Sequence, residues 1–79
     1  MNLNLIGFLP EENEDQFIQC DIDIPRGLES KILEIIKKPN LEELIGGDWP
    51  ISKDQAQQIA FILNANLPSG LDFFITVVA

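Results

Sequence analysis

Phe17-Ile18-Gln19-Cys20-Asp21-Ile22-Asp23-Ile24 runs directly into Pro25-Arg26-Gly27. Within the first eight residues the alternation puts Ile18, Cys20, Ile22 and Ile24 on one face of a strand, and Phe17, Gln19, Asp21 and Asp23 on the other. Pro25 cannot donate to a sheet ladder and ends the strand. Beyond Gly27 the period changes. Leu28, Ile32, Leu33, Ile35 and Ile36 fall on one helical stripe, with Glu29, Lys31, Glu34 and Lys38 facing water. A half-buried strand handing over to an amphipathic helix predicts an α+β fold.

Upstream, Asn2-Leu3-Asn4-Leu5-Ile6-Gly7-Phe8 predicts a short strand whose alternation is clean only over its first four residues. Leu9-Pro10 and the acids Glu11, Glu12, Glu14 and Asp15 then supply turn chemistry, so the two strands form a hairpin with an acidic tip. Downstream, Glu34 and Lys38 stand i,i+4, Lys37 and Lys38 suit the negative helix end, and Pro39 stops propagation. Asn40 can cap a single helical turn at Leu41-Glu42-Glu43-Leu44-Ile45, closed by Gly46-Gly47. Ser52-Lys53-Asp54-Gln55 satisfies the capping-box pattern for a third helix, with Ala56, Ile59, Ala60 and Leu63 on its stripe and an end near Asn64. The β-branched and aromatic run from Leu71 to Val78 predicts a returning strand.

The expected order is therefore ββαααβ: a small, mainly antiparallel three-stranded sheet with helices on one face and the other face open. In the last strand Leu71, Phe73, Ile75 and Val77 oppose Asp72, Phe74, Thr76 and Val78. Neither side is wholly polar, so this strand is central or part of an interface. At 79 residues the chain makes one domain spanning residues 1–79.

Thirteen acids against five bases give a net charge of -8, which repels a phosphate backbone and speaks against direct nucleic-acid binding. No apolar run approaches the roughly 20 residues that a membrane-spanning helix needs. The first ten residues lack the basic region of an export signal, and one cysteine cannot close an internal disulfide, so a reducing, cytoplasmic setting is expected. With no His and no Tyr, most familiar catalytic apparatus is missing, and no catalytic residue, cofactor or enzymatic activity is expected. Cys20 alternates with isoleucines and reads as a small core hydrophobe. Asp21 and Asp23 share a strand face, but Asp21-Ile-Asp23-Ile-Pro-Arg-Gly27 lacks the ligand spacing of a calcium loop, and no metal is expected. Gly46-Gly47-Asp48 lacks the Lys-Ser/Thr of a phosphate loop and reads as helix termination. Trp49, before Pro50, packs over the helix entrance or, where exposed, serves as an interface hot spot.

What remains is charge. Six acids, namely Glu11, Glu12, Glu14, Asp15, Asp21 and Asp23, precede the first base, Arg26. Such a field steers a cationic partner and raises its rate of encounter, whereas on the bland reading it only solvates a loop and a strand face. Phe17 and Phe74 would add the apolar contact that charge lacks.

Gly47-Asp48-Trp49-Pro50-Ile51-Ser52-Lys53-Asp54-Gln55-Ala56-Gln57-Gln58-Ile59-Ala60, followed by the Phe-rich last strand, resembles part of an uncharacterised family of small acidic bacterial proteins associated with polymorphic and contact-dependent toxin systems. The resemblance covers roughly the last third of the chain. It implies an immunity protein and gives Trp49, Pro50, Ser52 and Gln55 a role in the fold. The expected function is therefore an immunity or antitoxin-like protein that binds and occludes a basic toxin domain, such as a nuclease, through Glu11, Glu12, Glu14, Asp15, Phe17, Asp21, Asp23 and Phe74. The alternatives are a module that forms a homodimer through its last strand, and an inhibitor that mimics nucleic acid.

Overall fold

The computed structural model describes residues 2–10 and 18–78. Its elements are β1 (Asn2–Phe8), β2 (Ile18–Ile24), α1 (Glu29–Ile35), β3 (Trp49–Pro50), α2 (Lys53–Leu63) and β4 (Asp72–Val78), with 3-10 segments at Arg26–Leu28 and Leu41–Leu44. The class is α+β, and two expectations need correction. The sheet has four strands, in the order β2-β1-β4-β3, all antiparallel. Among the described residues there are two α-helices, because Leu41–Leu44 closes as a 3-10 segment. Trp49–Pro50, read above as a helix entrance, is the added edge strand, pairing with Ile75 and Phe74. Pro50 is tolerated there because an edge strand has no second neighbour to supply.

β1 is central and sorts its side chains by chemistry. Leu3 and Leu5 are fully buried on the helical side, where they join Ile24, Phe73 and Ile75 from the other strands, Ile32 and Ile36 from α1 and its exit, and Ala56 and Ile59 from α2. Gly7 sits opposite Phe73 in the ladder. A Cβ there would lie 2.9 Å from Phe73 Cε1 and 3.0 Å from Leu71 Cδ1, so the missing side chain is the space that the phenylalanine ring occupies.

The β1–β2 ladder shifts register between Gly7 and Phe8, whose partners are Cys20 and Ile18. This bulge accommodates Gln19 and moves Ile18 opposite Phe8. Ile18, expected beside Cys20, Ile22 and Ile24 in the apolar layer, instead is 51% exposed.

Both helices end as their local chemistry directs. Lys37 takes a left-handed conformation (φ 60°), with its N–H donating to Glu34 O at 3.2 Å and the Lys38 N–H to Leu33 O at 3.0 Å. This is a Schellman closure built without glycine. Asn64 (φ 54°) closes α2 in the same way, with Ala65 N–H donating to Ala60 O at 2.9 Å. Lys38 thus lies beyond α1 rather than pairing along it with Glu34, and its ammonium sits 3.8 Å from the Trp49 ring centroid. Glu29, expected to face water, is half-buried, and its Oε2 is shielded from solvent without a hydrogen bond.

At the start of α2 the capping box is complete: Ser52 Oγ accepts from Gln55 N–H at 3.1 Å and Gln55 Oε1 accepts from Ser52 N–H at 2.9 Å. Gln55 Nε2 also donates to Ile35 O at 3.2 Å, satisfying a carbonyl at the end of α1 and tying the helices together.

Gly7→Ala forces a methyl into the Phe73 ring and is expected to cost about 1–3 kcal/mol, read as a lower urea midpoint with unchanged slope.

Candidate protein-binding face

The face of the sheet away from the helices is built in cross-strand rows. One row holds Asp23, Asn4 and Thr76; the next holds Asp21, Ile6, Phe74 and Pro50; the third holds Ile18, Phe8 and Asp72. Asn2 and Val78 close one end. Asp21, Asp23 and Phe74, three of the expected partner-binding residues, therefore share one surface. Glu11, Glu12, Glu14, Asp15 and Phe17 lie outside the described residues.

Asn4 organises the acidic side. It is 7% exposed, and its Nδ2 donates to Asp21 Oδ1 at 2.8 Å and to Asp23 Oδ1 at 2.7 Å. One amide nitrogen thus uses both hydrogens on two carboxylates that would otherwise repel each other two residues apart. The acids are exposed and held in register, so the negative charge has a fixed position on the face.

An apolar cluster adjoins them. Phe8 and Phe74 meet edge to face, with ring centroids 5.7 Å apart at 74°. Ile6 beneath them is 4% exposed, whereas Ile18 is 51% exposed; Val78, at the far end of the face beside Asn2, is 46% exposed. Phe8 and Ile18 were not among the expected site residues. Phe8 was legible in the alternation of β1, had it been continued past Leu5, but Ile18 depends on a bulge that no residue type announces. None of the four strands carries a base: Arg26, Lys31, Lys37, Lys38 and Lys53 all lie outside them. Lys53 is the base that borders this face, sharing a shallow cleft with Asp72 and Phe74.

Cys20 is on the opposite side of β2, half-buried against the core. Burial pushes its thiol above the ordinary 9.0, and the adjacent Asp21 carboxylate adds to the shift. Among the described residues no group of three or more His, Cys, Asp or Glu could hold a metal ion. No described helix is long and apolar enough to cross a membrane.

A second exposed surface, absent from the expectations, lies on the helical side. Phe61 is 88% exposed and lines a shallow, open groove together with Ile35, Gln57, Gln58 and Ile62. Its signal in the sequence was an aromatic residue off the Ala56, Ile59, Ala60 and Leu63 stripe of α2. The chain matches no known family model, no curated protein and no solved structure.

Two predictions follow from the charges of β1 and β2. Asn4→Asp places a third carboxyl between Asp21 and Asp23. Its own pKa is then raised in the folded state, so stability is lost as pH climbs through the ordinary carboxylate range near 4 and regained on acidification. Thermal unfolding of the variant should show a deficit at pH 7 that shrinks towards pH 4. For Cys20 the unfolded chain ionises first, so the thiol's contribution to stability is present below pH 9.0 and declines above it. Alkylation of the native protein should accordingly reach its half-maximal rate at a higher pH than alkylation of the urea-unfolded chain.

Proposed function

We propose that the chain is an immunity-type inhibitor that uses its open sheet face to occlude a basic protein domain, with a nuclease toxin as the leading partner. The observation that carries this reading is the pairing, on one rigid face, of fixed carboxylates at Asp21 and Asp23 with the apolar cluster of Phe8, Phe74 and Ile18, on strands that contain no base. Charge of one sign steers the encounter and selects against wrong partners, and the aromatic pair supplies contact area once water is expelled. An interface of about 800 Å² per partner would take roughly 15% of the 5291 Å² surface. The acids Glu11, Glu12, Glu14 and Asp15 would extend the same field, and Phe17 the apolar contact. Nuclease domains suit this surface because they carry basic substrate-binding faces, which an acidic protein blocks without chemistry of its own.

Self-association through the last strand is the competing reading. β3 occupies the outer edge of β4 at Phe74 and Ile75, and the Ile51 N–H donates to Phe73 O at 3.1 Å, which leaves Thr76–Val78 for that route.

The test is affinity capture from the native host at low and high salt, with the wild-type chain and with Asp21→Asn/Asp23→Asn as baits. One basic protein should be retained at low salt, released at high salt and inhibited in its own activity by the chain. Its association rate with the double variant should fall several-fold to about tenfold, with a flatter salt dependence. Equal rates for the two baits would remove the acidic face from the account.

A further inference from the structure

We infer that β2 takes up an extended segment of a basic partner as an added strand of the sheet, with residues 20–24 as the docking edge. The inference rests on the reading of Asp21 and Asp23 as the charges that receive a basic protein, and adds how that protein is held.

β2 is the last strand on its side of the sheet. In an antiparallel ladder alternate residues turn their N–H and C=O groups towards one neighbour, and the residues between them turn theirs the other way. β1 takes one set, and no described element takes the other. That outward row is a template for a further strand. The opposite edge of the sheet is a poorer one, because β3 is two residues long and includes Pro50, which has no N–H. Within β2 the register shift between Gly7 and Phe8 interrupts the ladder beyond Cys20, and Pro25 follows Ile24. The regular edge is therefore residues 20–24.

The two faces of this edge specify the occupant. On the open face Asp21 and Asp23 are exposed, and Asn4 Nδ2 holds them at 2.8 and 2.7 Å. On the helical face Cys20 and Ile22 pack against the core but are only half-buried, so the apolar layer stops short at β2. A strand laid along β2 sets its side chains alternately over these two faces, directly opposite those of β2. The complement is a segment that alternates Lys or Arg with Val, Ile or Leu. Bases at i and i+2 then stand opposite Asp21 and Asp23, while the apolar residues beside them extend the core layer over Cys20 and Ile22. A second copy of β2 does not fit, because antiparallel pairing about Ile22 sets acid against acid. Main-chain hydrogen bonds supply the attachment, and the alternation supplies the choice of partner.

The test is a titration at low salt with the end-blocked peptide Thr-Lys-Val-Lys-Val-Lys-Thr, followed by NMR shifts and by amide hydrogen exchange of residues 20–24. A second peptide of the same side chains, N-methylated at every interior residue, keeps the charge and loses the donors. The first peptide is expected to bind and to slow exchange at alternate amides of residues 20–24, and the methylated one to lose that protection and most of the affinity. Asp21→Asn/Asp23→Asn, which leaves an acceptor oxygen for Asn4 at both positions, should weaken the first peptide by several-fold to about tenfold. Equal binding by both peptides, or binding that leaves exchange in β2 unchanged, overturns strand addition while leaving the acidic face as a surface for a basic partner. No binding up to millimolar peptide also overturns it, and the capture experiment above then decides the broader reading separately.

Discussion

β1 has to satisfy neighbours on four sides, and the rest of the molecule is arranged around how it does so. Its two edges are taken by β2 and β4, which uses its backbone groups in both ladders. Its two faces are buried by different chemistry. On one, Leu3, Leu5 and the empty position of Gly7 meet the helical layer; on the other, Asn4, Ile6 and Phe8 lie beneath acids and rings from both neighbouring strands. A one-residue slip would exchange these sets, burying Asn4 in the apolar core and driving the Phe73 ring against a side chain in place of Gly7. The register of the central strand, the packing of the helices and the position of the acidic pair are therefore one constraint.

That constraint explains which parts could be read in advance. β2, α1, α2 and β4 follow from residues close in sequence: the alternation into Ile24, the change of period after Gly27, the reciprocal bonds of Ser52 and Gln55, and the opposed sets in Phe73–Val78. β1 is legible over Asn2–Phe8, but its alternation is clean only through Leu5, because Ile6 is apolar on the face where alternation calls for a polar residue. It is apolar because Phe8 and Phe74 cover that face, a tertiary cause. β3 and the exposure of Ile18 were not legible for a similar reason. Trp49 and Pro50 are a strand only because β4 offers an edge beside them, and Ile18 changes sides only because the ladder bulges at Gln19. Of the site, the shared face of Asp21 and Asp23 was fixed by period two, but the Asn4 amide that holds them is reached across the ladder.

Charge is sorted by the same architecture. Bases enter the chain after β2, and Lys37 and Lys38 follow the C-terminal end of α1, where a positive side chain is favoured by the helix carbonyls. Acids occur in both layers, but on the sheet they stand without bases in the same strands. The molecule thus has a strand surface whose charged strand residues are all acidic, backed by a mixed helical one, with the core between them. Repulsion between Asp21 and Asp23 is limited by the Asn4 amide, which spends both its hydrogens there.

The same acids bear on the edge of the sheet. β2 is a seven-residue edge strand among the described elements, long enough to template pairing with another chain. Were two copies to join antiparallel about Ile22, Asp21 of each would stand directly opposite Asp23 of the other, and like charges opposed across a ladder are destabilising. The bulge at Gln19 adds local twist that a flat partner strand must also match. Neither obstacle applies equally to a strand that presents lysine or arginine at alternate positions, because the charges that repel a second copy attract that partner. The carboxylates are therefore selective as well as soluble: they close the edge to the chain itself while leaving the acidic side approachable by positive charge.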